Sequence, residues 1–171
     1  VVSAGGGFLA AGNLGFKLAA SLLTDSILDG NLSYLNLGPF YAKAEYAISD
    51  KSGLGINVAY IANNVTWNDE LTSYKYTLKR SNISIMARYN YYFMTRESFE
   101  LYGGLGVGGR LSSWAFESDD PTFVDVDLPI GIPFAFEATV GFRAYPVESV
   151  AIYGEFGGAK SLVQLGIALK L

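Results

Sequence analysis

The sequence contains no cysteine and no histidine among its 171 residues. Without cysteine there is no disulfide framework and no thiolate metal site. Without histidine the chain lacks the residue that most often serves as general base, triad member or zinc ligand. We therefore expect no cofactor, no metal site built on these residues and no enzymatic activity.

Long apolar runs are also missing, although half of the residues are hydrophobic. No stretch approaches the roughly 18 apolar residues that a transmembrane helix needs. Charged residues make up 16%, and the net charge of −4 argues against a nucleic-acid-binding protein. No intact signal peptide is visible, and residues 1–4 are compatible with the tail of a removed signal or with part of a longer chain.

What the chain does contain favours strands and turns over helices, with 15% aromatic residues, 20 glycines and five prolines. Apolar and polar residues alternate with period two, which is the repeat of a β-strand. Phe40 and Tyr46 fall on one side of residues 40–48, and Lys43 and Glu45 fall on the other. The pattern predicts one domain, residues 1–171, with eight strands at about 8–23, 33–48, 53–68, 76–93, 99–116, 131–145, 149–159 and 162–171.

Eight antiparallel strands close into a barrel in two opposite ways. A soluble lipocalin-like barrel has its apolar face inside, whereas a transmembrane barrel has its apolar face towards lipid and a polar lumen. Here the polar face is rich in small residues such as Gly104, Gly106 and Gly108, which suit the crowded interior of a narrow barrel. We therefore predict an all-β, up-and-down transmembrane β-barrel.

The polar face also carries sparse charges of both signs, which can pair across a lumen. The predicted lumen charge network consists of Lys17, Lys43, Glu45, Arg80, Arg88, Glu100, Arg110, Glu137, Arg143, Glu155 and Lys170. On the apolar face, aromatic residues gather near the strand ends, as in the aromatic girdle at a membrane interface. These residues are Tyr46, Tyr91, Phe93, Phe99 and Phe142.

Connection lengths predict the orientation, because such barrels keep short turns in the periplasm and longer loops outside the cell. The short connections are residues 50–53, 94–98 and 146–149. The longer ones are residues 24–32, 68–75 and 117–130, while 157–161 is short for an outer loop. Eight strands then put both chain ends on the periplasmic side.

The pattern resembles the small OmpA/OmpX-type outer-membrane barrels, and specifically the outer-membrane β-barrel proteins of Bacteroidota. The resemblance covers nearly the whole chain and depends on the hairpin rhythm and on residues 34–40, 87–93 and 101–108. The terminal Leu171 departs from it, since many such barrels end in an aromatic residue. The resemblance implies localisation in the outer membrane of a Gram-negative bacterium and transfers no catalytic residue.

Several side-chain groups have both a functional and a structural interpretation. The lumen charges could line a narrow ion path or, as we favour, plug the barrel. Trp67 and Trp114 could bind a ligand at the mouth or pack against loops, and Glu137 with Glu155 could form a carboxylate pair. An acidic loop could hold Ca²⁺, dock a basic partner or be a solvated loop. The acidic loop residues are Glu117, Asp119, Asp120, Asp125 and Asp127.

We thus expect a non-enzymatic outer-membrane barrel in contact with lipid, with a structural or interaction role or as an accessory subunit of an envelope complex. Other envelope proteins are the candidate partners, and nucleic acid is not one. The alternatives are a small pore or conduit for small or apolar solutes, and a soluble lipocalin-like ligand-binding barrel.

Overall fold

The computed structural model describes residues 1–8, 32–68, 73–122, 124–128, 133–158 and 161–171. Their regular structure is entirely β, and they include no helix long and apolar enough to cross a membrane. The strands are β1 (Val2–Phe8), β2 (Leu32–Ser49), β3 (Ser52–Asn68), β4 (Lys75–Arg96), β5 (Phe99–Ser118), β6 (Val126–Leu128), β7 (Phe134–Val147), β8 (Val150–Gly158) and β9 (Val163–Leu169).

Eight of these strands form a closed antiparallel ring, in the order β1, β2, β3, β4, β5, β7, β8 and β9. The ring closes where β1 pairs with β9, with Val2 opposite Leu169 and Phe8 opposite Val163. Closure pairs the edge that β1 and β9 would otherwise expose. The short β6 pairs with the far part of β5, from Trp114 to Phe116. The predicted all-β, eight-stranded up-and-down barrel is confirmed.

The connections at one end of the barrel are tight two-residue turns, residues 50–51, 97–98 and 148–149. Asp and Ser in and beside these turns can hydrogen-bond to the local backbone, and Ser49 Oγ accepts from the Lys51 amide at 3.3 Å. We call this the short-turn end. At the opposite end, β5 continues to Ser118 although its pairing with β7 stops at Gly109. The expected connection at 117–130 therefore includes strand β6.

A bulge in β2 keeps its apolar residues on one face. Leu37 and Phe40 are three positions apart on β2, whereas their partners on β3, Ala62 and Tyr60, are two positions apart. Gly38 has φ +86°, a conformation that favours glycine. An extra residue reverses the parity of the strand, so that both Leu37 and Phe40 lie on the exposed face.

The first strand differs from the sequence prediction. We expected it to begin at residue 8, but it begins at Val2 and ends at Phe8. Residues 5–7 are consecutive glycines and give no apolar alternation, which explains why the pattern missed them. The alternation that suggested residues 8–23 falls, after Phe8, outside the described residues.

Candidate functional site in the barrel lumen

Arg88 on β4 is the centre of a buried charge network in the lumen. Its Nη1 donates to Glu137 Oε1 at 2.8 Å, and its Nη2 donates to Glu155 Oε1 at 2.9 Å. Its Nε donates to Asn90 Oδ1 at 2.8 Å, and Nη2 also reaches Thr139 Oγ1 at 3.0 Å. The planar guanidinium thus uses each of its nitrogens, which a lysine could not do from one position.

Glu155 on β8 links this centre to β2 and β5. Its Oε2 accepts from Lys43 Nζ at 2.8 Å, and its Oε1 accepts from the Tyr102 hydroxyl at 2.8 Å. Lys43 Nζ also donates to Gln164 Oε1 on β9 at 2.8 Å. Since the Glu155 side chain is 2% exposed, these donors replace the water that the carboxylate loses on burial.

A second part of the network is centred on Arg143 of β7, nearer the short-turn end. Arg143 Nη1 donates to Glu100 Oε2 at 3.1 Å, and Nη2 donates to Glu45. The Tyr92 hydroxyl accepts from Arg143 Nη1 at 2.7 Å and donates to Glu45. Tyr145 donates to Glu100 Oε2 at 3.1 Å. Strands far apart in the sequence are therefore joined across the lumen.

Glycines on the inner face make room for these long side chains. A Cβ at Gly104 would collide with the Arg88 guanidinium, and a Cβ at Gly106 would lie 2.7 Å from Glu137 Cγ. The glycines of the polar face therefore leave the space that Arg88 and Glu137 occupy, because the interior of an eight-stranded barrel is only wide enough for the side chains that fill it.

The network leaves little space in its own part of the lumen. The cavity beside it, bounded by Ser3, Lys43, Glu45, Arg88 and their neighbours, has a volume of about 10 Å³. That volume holds one water molecule at most. Three cations and four carboxylates meet here, namely Lys43, Arg88, Arg143, Glu45, Glu100, Glu137 and Glu155.

The remaining predicted lumen charges lie elsewhere. Arg80 and Arg110 are half-buried on the inner register of β4 and β5, further from the short-turn end. Lys170 follows β9 and is exposed, with Nζ 5.6 Å from the centre of the Tyr145 ring. It belongs to the mouth of the lumen and not to the buried network. Lys17 lies outside the described residues.

Neutral side chains that sequence reasoning passed over complete the network. Besides Tyr92, Tyr102 and Tyr145, Asn57 donates through Nδ2 to Glu137 Oε2 at 2.7 Å. The alternation could have identified them as lumen residues, because they fall on its polar side: Tyr102, for example, shares the inward-facing register of β5 with Gly104. A tyrosine looks apolar by composition, yet its hydroxyl can satisfy a buried carboxylate.

The outer face of the wall is apolar. Large hydrophobic side chains such as Leu105, Val107 and Phe136 are 62%, 70% and 76% exposed. A groove of about 470 Å³ on this wall is bordered by Tyr91 and Phe93 on β4 and by residues of β5, β7 and β8.

The residues predicted as an aromatic girdle all lie on this face near the short-turn end. Tyr46 is 76% exposed and Phe93 59% exposed, whereas Phe99 is half-buried. The Tyr91 and Phe93 rings meet edge to face at 5.5 Å. Phe99 and Phe142 stack with ring centres 6.2 Å apart.

The acidic loop residues make local contacts. Glu117 pairs with Lys79 on β4, both about two-fifths exposed, and Asp119 Oδ1 accepts from the Lys75 amide at 2.6 Å. Asp120 accepts from Thr122, and Asp125 accepts from the Ser118 amide at 3.3 Å. In the described chain no three acidic, cysteine or histidine side chains gather as a metal would require. The Asp127 side chain is not among those described.

The two tryptophans lie on the inner register beyond the charge network. Trp67 stacks with Tyr76 and Phe116, in both cases with ring centres 5.7 Å apart. Arg80 Cζ lies 4.9 Å from the centre of the Trp114 ring, a cation–π contact. Both tryptophans thus pack against neighbouring side chains of the wall.

Comparison with known proteins finds no matching family model and no matching curated protein. Among solved structures, the chain is similar to Ail, the attachment invasion locus protein of Yersinia pestis. The TM-score is 0.39 with 16% sequence identity, over 81% of this chain and 88% of that chain.

Proposed function

We propose that this chain is an integral β-barrel of the outer membrane of a Gram-negative bacterium, surrounded by lipid. The observation that carries this proposal is the reversal of ordinary burial. Val107 and Phe136 are 70% and 76% exposed, whereas Arg88 and Glu137 are 4% and 2% exposed. In water the outer wall would be a continuous apolar surface, well beyond the few hundred Å² that soluble monomers usually expose. In lipid the same wall is favourable.

A soluble ligand-binding barrel has less support. It would need an apolar interior with space for a ligand and a polar exterior. The described lumen is lined by polar and charged side chains, and the cavity of about 10 Å³ beside the charge network has no room for an apolar ligand.

We further propose that the barrel is closed to solutes and serves a structural or interaction role, alone or as an accessory subunit of an envelope complex. The charge network joins β2, β4, β5, β7, β8 and β9 across the lumen, which supports a plug over a pore. No enzymatic role is proposed, because the buried carboxylates Glu137 and Glu155 are both held by Arg88. We also propose that the chain belongs to the outer-membrane β-barrel proteins of Bacteroidota, on the resemblance of residues 34–40, 87–93 and 101–108 alone.

Membrane extraction tests the localisation. The protein, expressed in a Gram-negative host with an outer-membrane leader, is expected to stay with outer-membrane particles through urea and alkaline washes. Detergent should release it. Recovery in the soluble fraction after folding without detergent would overturn the membrane proposal.

Conductance tests the plug. Purified barrel, first shown to be folded in lipid vesicles by its resistance to protease, is expected to give no stepwise current in planar bilayers. Regular single-channel steps from that sample would instead support the pore.

A further inference from the structure

The inner wall beyond the charge network carries two arginines on neighbouring strands. Arg80 on β4 lies between Asn63 on β3 and Trp114 on β5, and Arg110 on β5 lies opposite Ser84. Three residue pairs of the ladder separate the two positions, and one of them, Asn82 with Ser112, lies on the inner face. We call Asn63, Arg80, Ser84 and Arg110 the arginine patch.

The positive charge of the arginine patch has no acidic partner among the described residues. Arg80 and Arg110 form no salt bridge there, and burial and then the charge of Arg110 act unfavourably on the charged form of Arg80. Arg80 has the Trp114 ring as a partner at 4.9 Å, but a ring quadrupole offsets a cation only partly. Lys43, Arg88 and Arg143 each contact a carboxylate. The arginine patch differs from them, because its two guanidinium groups have no carboxylate partner among the described residues.

A second, independent observation concerns polar atoms opposite the two arginines, Asn63 opposite Arg80 and Ser84 opposite Arg110. Asn63 and Ser84 are each 1% exposed, and Asn63 Nδ2, Asn63 Oδ1 and Ser84 Oγ have no hydrogen-bond partner among the described residues. The Nε atoms of Arg80 and Arg110 are likewise buried without a partner there. Buried polar groups are nearly always satisfied, so these atoms indicate a polar partner that is not among the described residues.

We propose that the arginine patch binds an anionic group, the phosphate, sulfate or carboxylate of a small solute that enters from the end with the longer connections. Guanidinium groups donate in a fork that matches the spacing of oxyanion oxygens. Asn63 Nδ2 and Ser84 Oγ supply further donors. On one point the anion site rests on the proposed plug: with the lumen closed on the other side by the charge network, the site is a pocket with a single opening and not a step in a channel. The anion site itself does not depend on outer-membrane localisation.

Titration with inorganic phosphate tests the site. The barrel is refolded in phosphatidylcholine vesicles, which contain no anionic headgroup, and titrated calorimetrically at constant ionic strength in chloride. Saturable binding is expected, with sulfate competing. Arg80→Gln and Arg110→Gln should each weaken the affinity by about tenfold or more, since each removes charge-assisted hydrogen bonds.

Lys79→Gln is the matched control, because Lys79 precedes Arg80 on β4 but pairs with Glu117 on the other face. Its phosphate affinity should equal that of the wild type. A wild-type response that never saturates, or a loss with Lys79→Gln as large as with Arg80→Gln, would overturn the proposal.

Urea unfolding distinguishes an external anion from an acidic side chain of this chain. In phosphate-free buffer Arg110→Gln should have an unfolding midpoint no lower than that of the wild type, because it removes a repulsion. Phosphate should raise the wild-type midpoint and leave that of the variant unchanged. If Arg110→Gln lowers the midpoint equally in both buffers, the arginine has an internal partner and the proposal is wrong.

Discussion

The inner and outer faces of the same strands follow opposite rules. On β4, Ser84 and Arg88 point inwards and are 1% and 4% exposed, whereas Ile85 and Tyr89 between and beside them are 56% and 40% exposed. On the inner face a charge is stabilised because partners reach it from across the lumen. In the proposed membrane, an equal charge in the lipid-facing part of the outer face would have lipid beside it and no partner. On this proposal the environment of each face, and not burial as such, decides which residues that face accepts.

The largest effect is expected on the inner face, from Glu155→Ala. This change removes the carboxylate that Lys43 and Arg88 share, and leaving buried cations without their partner costs about 3–5 kcal/mol. Urea unfolding of the barrel in lipid vesicles measures the loss. Glu117→Ala is the control, since its pair with Lys79 is well exposed and such pairs contribute about 0–1 kcal/mol. Equal losses of stability in the two variants would mean that the buried lumen network contributes no more than an exposed ion pair.

A charge on the outer face should be the next most costly change. Leu105 is 62% exposed on β5, and Leu105→Arg is expected to destabilise the membrane-inserted barrel by about 2–4 kcal/mol if the residue lies near the bilayer midplane. Val124→Arg is the control, because Val124 is 78% exposed but lies in the connection after β5. If Leu105→Arg and Val124→Arg change the free energy of unfolding equally, the wall at Leu105 faces water and not lipid.

A smaller effect is expected from adding one methyl group inside. A Cβ at Gly104 would lie 2.7 Å from both Arg88 Cζ and Asn90 Oδ1, so Gly104→Ala should cost about 1–3 kcal/mol through overpacking. Gly158→Ala is the matched control, because a Cβ there meets nothing within 4 Å. The same unfolding assay applies, and indistinguishable midpoints would mean that the lumen is loosely filled.

The alternation of apolar and polar residues with period two predicted the strands and their inner and outer faces, because the side-chain repeat of a strand is a local property of the chain. It worked for β4, where Arg88 and Ile85 fall on opposite faces as their parity requires. It failed for β1, where Gly5 and its neighbours have no side chains to alternate. A Cβ at Gly5 would lie 2.5 Å from the Tyr153 hydroxyl, so the absence of a signal there has a packing cause.

The partners within the lumen could not be predicted from the sequence. Arg88 reaches Glu155, 67 positions later, because the stagger of the strands brings these residues to one level. Alternation specifies the face of a residue and not its height in the barrel. For the same reason the sequence placed Arg80 and Arg110 with the network, although the structure separates them from it.

Lipid contact along one strand tests the central claim most directly, and the absence of cysteine makes single labels straightforward. Single cysteines at residues 83 to 86 of β4 are labelled with a fluorophore and read in vesicles that contain brominated lipid. We predict strong quenching at Ile83 and Ile85 and little at Ser84 and Met86. Quenching at the inner pair, or at none of the four positions in a folded barrel, would contradict the account.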